Sequence, residues 1–179
     1  MRIRPMLRLI LIELPRRLAP AVLLLAAGTV ALPAHAAAPN SCSLVTSAAW
    51  AAVLSRPVTG GSVSVVNDPA STASSCLYQA GVLLISVQVD QRASAAAAQK
   101  EYAEQLDNSR NRGESDSLRI TVESGIGDGA FSTVFTDGTV VELTAVRESR
   151  IVTFGLVGAG AGAVPHERLR ELMRSALTH

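Results

Sequence analysis

The stretch LRITVESGIGDGAFSTVFTDGTVVELTAVRESRIVTFGLV, residues 118–157, decides the fold. Leu118 to Val122 alternates apolar and polar side chains, the period of a strand with one wet face. Gly125-Ile126-Gly127-Asp128-Gly129 then bends the chain, with glycine supplying positive φ. Ala130 to Phe135 reads as a second strand. Asp137-Gly138 is a two-residue hairpin signal in which both central positions take positive φ. Thr139 to Arg147 returns as a strand, and Glu148-Ser149 turns again. Arg150 to Val157 is the next strand, with Ile151, Thr153, Gly155 and Val157 on one side and Val152, Phe154 and Leu156 on the other. The whole stretch is an antiparallel meander.

Working toward the C-terminus, Gly158 to Gly162 reads as a flexible small-residue loop. Pro165 suits the first turn of a helix. Leu169, Leu172, Met173, Ala176 and Leu177 then recur at helical spacing, so this last helix needs the sheet to cover its apolar face. Upstream, Ala93 to Asn108 is alanine-rich, with Ala95, Ala98, Tyr102 and Leu106 as a narrow apolar stripe and Lys100, Glu101 and Glu104 on the wet side. Ser109 to Ser117 reads as flexible. Cys76 to Ala80 and Val82 to Asp90 are strands around Gly81. Asn67 to Ser75 reads as turn, Ser62 to Val66 as a short strand, and Gly60-Gly61 as a break. Thr46 or Ser47 caps a helix carrying Trp50, Val53 and Leu54 on one face, and Pro57 closes it. Antiparallel strands beside separate helices make the class α+β, with about three helices packing the sheet.

Residues 1–36 have the pattern of an address. Arg2, Arg4, Arg8, Arg16 and Arg17 face a single acid, Glu13, and Ala21 to Leu32 is uninterrupted apolar sequence. Ala34-His35-Ala36 supplies a small-x-small site. This is the pattern of a secretory signal peptide, cleaved after Ala36 or after Ala38. The apolar run of about 12 residues is shorter than the roughly 20 that span a bilayer. Arg16-Arg17 leaves export by a twin-arginine route as an alternative to the general one. Residues 37–179 are then expected to form a single domain. The chain has 16 basic and 15 acidic side chains. Five of the basic ones and one acid belong to the leader, so the remainder holds 11 and 14, a net charge of −3. A mildly acidic domain with 3% aromatic residues has no electrostatic or stacking basis for binding nucleic acid.

The chain has two cysteines, Cys42 and Cys76. Export places them in an oxidising compartment, where a disulfide persists, and two cysteines allow one intramolecular pairing. A reactive or metal-binding pair is the alternative. It lacks a C-x-x-C spacing and has only His166 and His179 as imidazoles in the exported part.

Candidate chemistry is sparse. Gly158-Ala159-Gly160-Ala161-Gly162-Ala163 matches a dinucleotide fingerprint in letters alone. A second parallel strand and a later acid are missing, so no cofactor is expected. Asp128 inside the Gly125–Gly129 bend would repel an anion. No G-x-S-x-G, H-E-x-x-H or aspartate-rich calcium loop occurs, so no catalytic or metal residue is assigned. His166, in the first turn of the last helix, reads as a surface residue. Glu101 and Glu104 lie on a solvated helix face, and Trp50 reads as core.

Cys42-Ser43-Leu44-Val45-Thr46 before a short helix, Cys76-Leu77-Tyr78 opening a strand, and Gly125-Ile126-Gly127-Asp128-Gly129-Ala130-Phe131 before a meander together resemble a family of bacterial envelope proteins of unknown function. Many members are actinobacterial lipoproteins. The resemblance covers about residues 41–178. It implies a disulfide-linked α+β domain similar to the PsbP-like fold and brings no catalytic residues with it. Its members place a lipidated cysteine after the signal, whereas Cys42 lies ten residues beyond Leu32, so a soluble periplasmic or secreted form is expected. The resulting expectation is a non-enzymatic envelope or secreted domain that binds a protein, a peptide or a small ligand, with no convergent polar cluster. The alternatives are a secreted serine-type hydrolase using His166 and a small hydrolase inhibitor.

Overall fold

The computed structural model describes residues 40–67, 71–113 and 117–179. The leader and both candidate cleavage sites, Ala36 and Ala38, lie outside the described residues. Seven strands form one antiparallel sheet: β1 (Thr59–Asn67), β2 (Ser71–Ala80), β3 (Leu83–Arg92), β4 (Leu118–Glu123), β5 (Gly129–Phe135), β6 (Val140–Arg147) and β7 (Arg150–Val157). Their order across the sheet is β1-β2-β3-β7-β6-β5-β4. The helices are α1 (Ser41–Leu44), α2 (Ser47–Leu54), α3 (Ala95–Gly113) and α4 (His166–Ala176), with a 3-10 turn at Ala161–Ala163. The architecture is α+β, as the alternation pattern requires.

Two meanders meet where β3 pairs with β7, and α3 carries the chain from β3 to the far edge at β4. Strand alternation therefore gives the sheet two apolar faces. On one face, Ile85, Val87, Leu143, Val152, Phe154 and Leu156 are buried with Trp50 of α2 and Leu169 and Met173 of α4. Trp50 is fully buried and meets Phe154 edge to face, with ring centroids 5.2 Å apart. On the other face, Ala98 and Tyr102 of α3 pack on Phe131, Val146 and Ile151.

The helix starts follow capping chemistry. The Thr46 hydroxyl accepts the Ala49 N–H at 3.2 Å, and the Ser94 hydroxyl accepts the Ala97 N–H at 3.1 Å. The Asn40 side chain caps α1, a single turn that the sequence pattern did not mark. It raises the count from about three helices to four. The Cys42–Cys76 disulfide ties α1 to β2, with the two Cα atoms 5.1 Å apart. Both cysteines of the chain are therefore bonded, and the alternative of a free reactive pair is removed. The Tyr78 hydroxyl donates to the Val45 carbonyl beside this staple.

Five local readings are corrected by tertiary context. Ser71 to Ser75 is strand rather than turn, because it pairs on both sides, with β1 and with β3. Gly60-Gly61 does not break the chain. It sits within β1 as a bulge, with φ of 102° and 110°. The α3 helix runs on to Gly113, five residues past Asn108, with Arg110 and Arg112 in its last turn, where positive charge suits the helix dipole. At the β5–β6 turn only Gly138 has positive φ, 69°. Its N–H bonds to the Phe135 carbonyl at 2.8 Å, and the Asp137 side chain holds the Thr139 N–H instead. Finally, the 158–162 loop is tied down: Gly158 N–H donates to the Thr139 carbonyl and Gly162 N–H to the Gly138 carbonyl, both at 2.8 Å.

Candidate functional site

The face that buries Trp50 is not covered out to its β4 edge. There Arg119, Thr121 and Glu123 alternate on β4, and the register sets Val134, Ser132 and Ala130 of β5 opposite them. The N-terminal end of α4 supplies His166 and Arg170, four residues apart and so on one side of the helix. The 3-10 turn and the β5–β6 turn close the third side. Gly162 touches Gly138 so closely that a Cβ on Gly162 would stand 2.9 Å from the Gly138 Cα, which only glycine allows. These elements enclose a cleft of about 380 Å³ lined by Thr121, Glu123, Ser132, Val141, Val164 and His166, among others. A second lobe of about 570 Å³ runs toward Phe135 and Asp137 and shares Arg119, Val134 and Gly162 with the first.

Glu123 is the hub of the first lobe. Its side chain is only 5% exposed. Its Oε1 accepts from the Ser132 hydroxyl at 2.8 Å and from His166 Nε2 at 2.7 Å. Its Oε2 lies 3.6 Å from Arg170 Nε. Arg170 is also held by the Ser124 carbonyl at 2.9 Å and by Glu167 at 3.5 Å. Burial pushes the Glu123 carboxyl up. The hydrogen bonds from Ser132 and His166, with the positive charges of His166 and Arg170, outweigh it and hold the group below the usual carboxylate range. Glu123 is thus a buried anion with matched partners.

The wiring is a star centred on a carboxylate. In a serine hydrolase the histidine stands between the serine and the acid, and accepts the serine proton. Here Ser132 and His166 each donate to the same oxygen of Glu123, and Ser132 is 3% exposed. The expectation that polar groups do not converge is overturned: Ser132, His166 and Arg170 meet around Glu123. His166 is half exposed, at 42% of its side chain, and its ring is engaged rather than free in solvent.

The other sequence candidates lie elsewhere. Glu101 is within 3.5 Å of Arg92, and Glu104 is within 3.7 Å of Lys100, both on α3. Asp128 accepts the Glu148 N–H at 2.7 Å, so the Gly125–Gly129 bend is a structural turn. Gly158 to Ala163 follows an antiparallel strand and forms one wall of the second lobe, where Gly160, Gly162 and Ala163 line it. Arg119, Glu123, Ser132 and Arg170 carried no assignment from sequence. The available signal was the run Arg119, Thr121, Glu123, a polar row in the strand phase that points toward the larger core.

No protein-family model matches the chain, and no curated protein matches it. The disulfide belongs to an oxidising, non-cytoplasmic setting. Among the described residues, no helix is long and apolar enough to cross a membrane.

Proposed function

We propose that the protein is an exported, non-enzymatic domain of the envelope or extracellular space, and that it binds a small ligand or a peptide in the cleft over β4 and β5. The basic and apolar leader, with its Ala34-His35-Ala36 site, supports cleavage by a signal peptidase and a periplasmic or secreted destination. The Cys42–Cys76 staple agrees with that destination. The resemblance of the Cys42–Thr46, Cys76–Tyr78 and Gly125–Phe131 segments to disulfide-linked envelope domains is in keeping with this reading.

One observation carries the choice of binding over catalysis. An open cleft of ligand size holds a buried carboxylate to which Ser132 and His166 both donate, so His166 is not placed to accept the Ser132 proton. Such a cluster sets the shape and polarity of a cleft without moving protons between its members.

The test pairs two measurements on the purified protein. A fluorophosphonate probe should leave Ser132 and every other serine unlabelled, and a fragment screen by thermal shift should return ligands that raise the melting temperature. Labelling of Ser132 that depends on His166 would overturn the proposal in favour of a serine hydrolase. The absence of any stabilising ligand would remove the binding reading.

A further inference from the structure

Resting on that reading of the cleft, we infer that its ligand is an amphipathic oxyanion: one carboxylate or phosphomonoester group next to an apolar body. Arg119 supplies the anion site. It borders both lobes at their junction, and among the described residues it has no hydrogen-bond or ion-pair partner. The other charged groups that line the cleft are engaged with partners of their own. Glu123 is four residues along β4, about 13 Å away at strand rise, and is engaged by a hydrogen bond from His166 and by the charge of Arg170. Asp137 Oδ1 is occupied by the Thr139 N–H and hydroxyl at 2.9 and 2.8 Å.

The surroundings of Arg119 supply the apolar half. The register sets Val134 directly opposite it and Val141 beyond on β6. Val141 and Val164 are buried, and Val134 is partly so. A guanidinium beside apolar walls gains most from an oxyanion that presents two oxygens to two of its N–H groups, and an uncharged ligand would leave it unpaired. Carboxylate and phosphomonoester share this chemistry, and separate probes distinguish them.

The test is isothermal titration of the purified protein at pH 7 with four probes: octanoate, octyl phosphate, octan-1-ol and acetate. At least one of the two amphipathic anions should bind ten times or more tighter than both octan-1-ol and acetate. Arg119→Ala should erase that preference, and Arg119→Lys should keep part of it. Both variants should melt within a few degrees of the parent, since Arg119 is exposed. Equal affinity for octanoate and octan-1-ol, or a preference that survives in Arg119→Ala, overturns the inference and leaves a neutral-ligand cleft standing. No binding of any probe also overturns it. If the fragment screen is then empty as well, the binding reading falls with it.

Discussion

His166 Nε2 lies 2.7 Å from Glu123 Oε1, across 43 residues of sequence, and this contact joins the start of α4 to the end of the edge strand β4. It connects the helix that covers the core to a strand that pairs on only one side. Removing the carboxylate leaves the buried Ser132 hydroxyl without its acceptor and takes from Arg170 its buried anionic neighbour. Glu123→Ala is expected to cost about 1–3 kcal/mol, the cost of orphaning such donors. Urea denaturation of the variant checks it, and an unchanged midpoint would show that the contact contributes nothing.

The same carboxylate gives the protein an acid-sensitive component of stability. Its folded pKa lies below its unfolded value because the partners favour the charged form. A depressed carboxylate stabilises the fold above the unfolded pKa, about 4.3, and that contribution is lost as pH falls through the lower folded value. Wild type should therefore lose stability more steeply than Glu123→Gln below about pH 4.3. Thermal melts between pH 7 and pH 2.5 would show the two curves converging, and parallel curves would contradict the assignment.

The disulfide spans 34 residues. Closing a loop of that length restricts the unfolded chain by about 3–4 kcal/mol in the entropic model. The double variant Cys42→Ala, Cys76→Ala should lower stability by that order, and thiol titration of the denatured, unreduced parent should find no free thiol. A variant as stable as the parent would show that the staple constrains little.

Trp50 is the only tryptophan in the chain and sits fully buried against Phe154. Its fluorescence should be blue-shifted in the native state and move red on unfolding, which makes it a reporter of the larger core. Trp50→Ala removes the largest core side chain and should cost about 3–5 kcal/mol. Trp50→Phe, which keeps an aromatic edge against Phe154, should cost less.

Much of the fold was legible because its clearest elements carry a strong period. In α4, Leu169, Met173 and Ala176 are all fully buried at the spacing read from the sequence. Val87, Val89, Val152 and Phe154 likewise point into the core they were expected to form. Ser71 to Ser75 was not legible: serine and alanine carry no apolar period, and that segment is extended because it is paired on both sides. The Asp137-Gly138 dipeptide marked a hairpin correctly but implied the wrong turn, because the Asp137 side chain forms hydrogen bonds to Thr139. The site was hidden for a related reason. Glu123, Ser132, His166 and Arg170 are each unremarkable in sequence, and only strand register and the landing point of α4 bring them together.

The close approach of Gly162 to Gly138 sets the third wall of the cleft. In Gly162→Ala the new methyl group meets backbone rather than a movable side chain, so the 3-10 turn must shift. The expected result is weaker ligand binding, with a stability loss of about 1–3 kcal/mol. Normal affinity in this variant would show that the turn is not part of the site.

Amide chemical-shift mapping of the nitrogen-15-labelled protein, titrated with octanoate and with the hits of a fragment screen, tests the central claim most directly. Ligand binding in the cleft should move the amides of Arg119, Thr121, Val134, Gly162 and His166 together, on a single saturable curve. Shifts confined to the opposite face of the sheet beneath α3, or no saturable shifts at all, would contradict it.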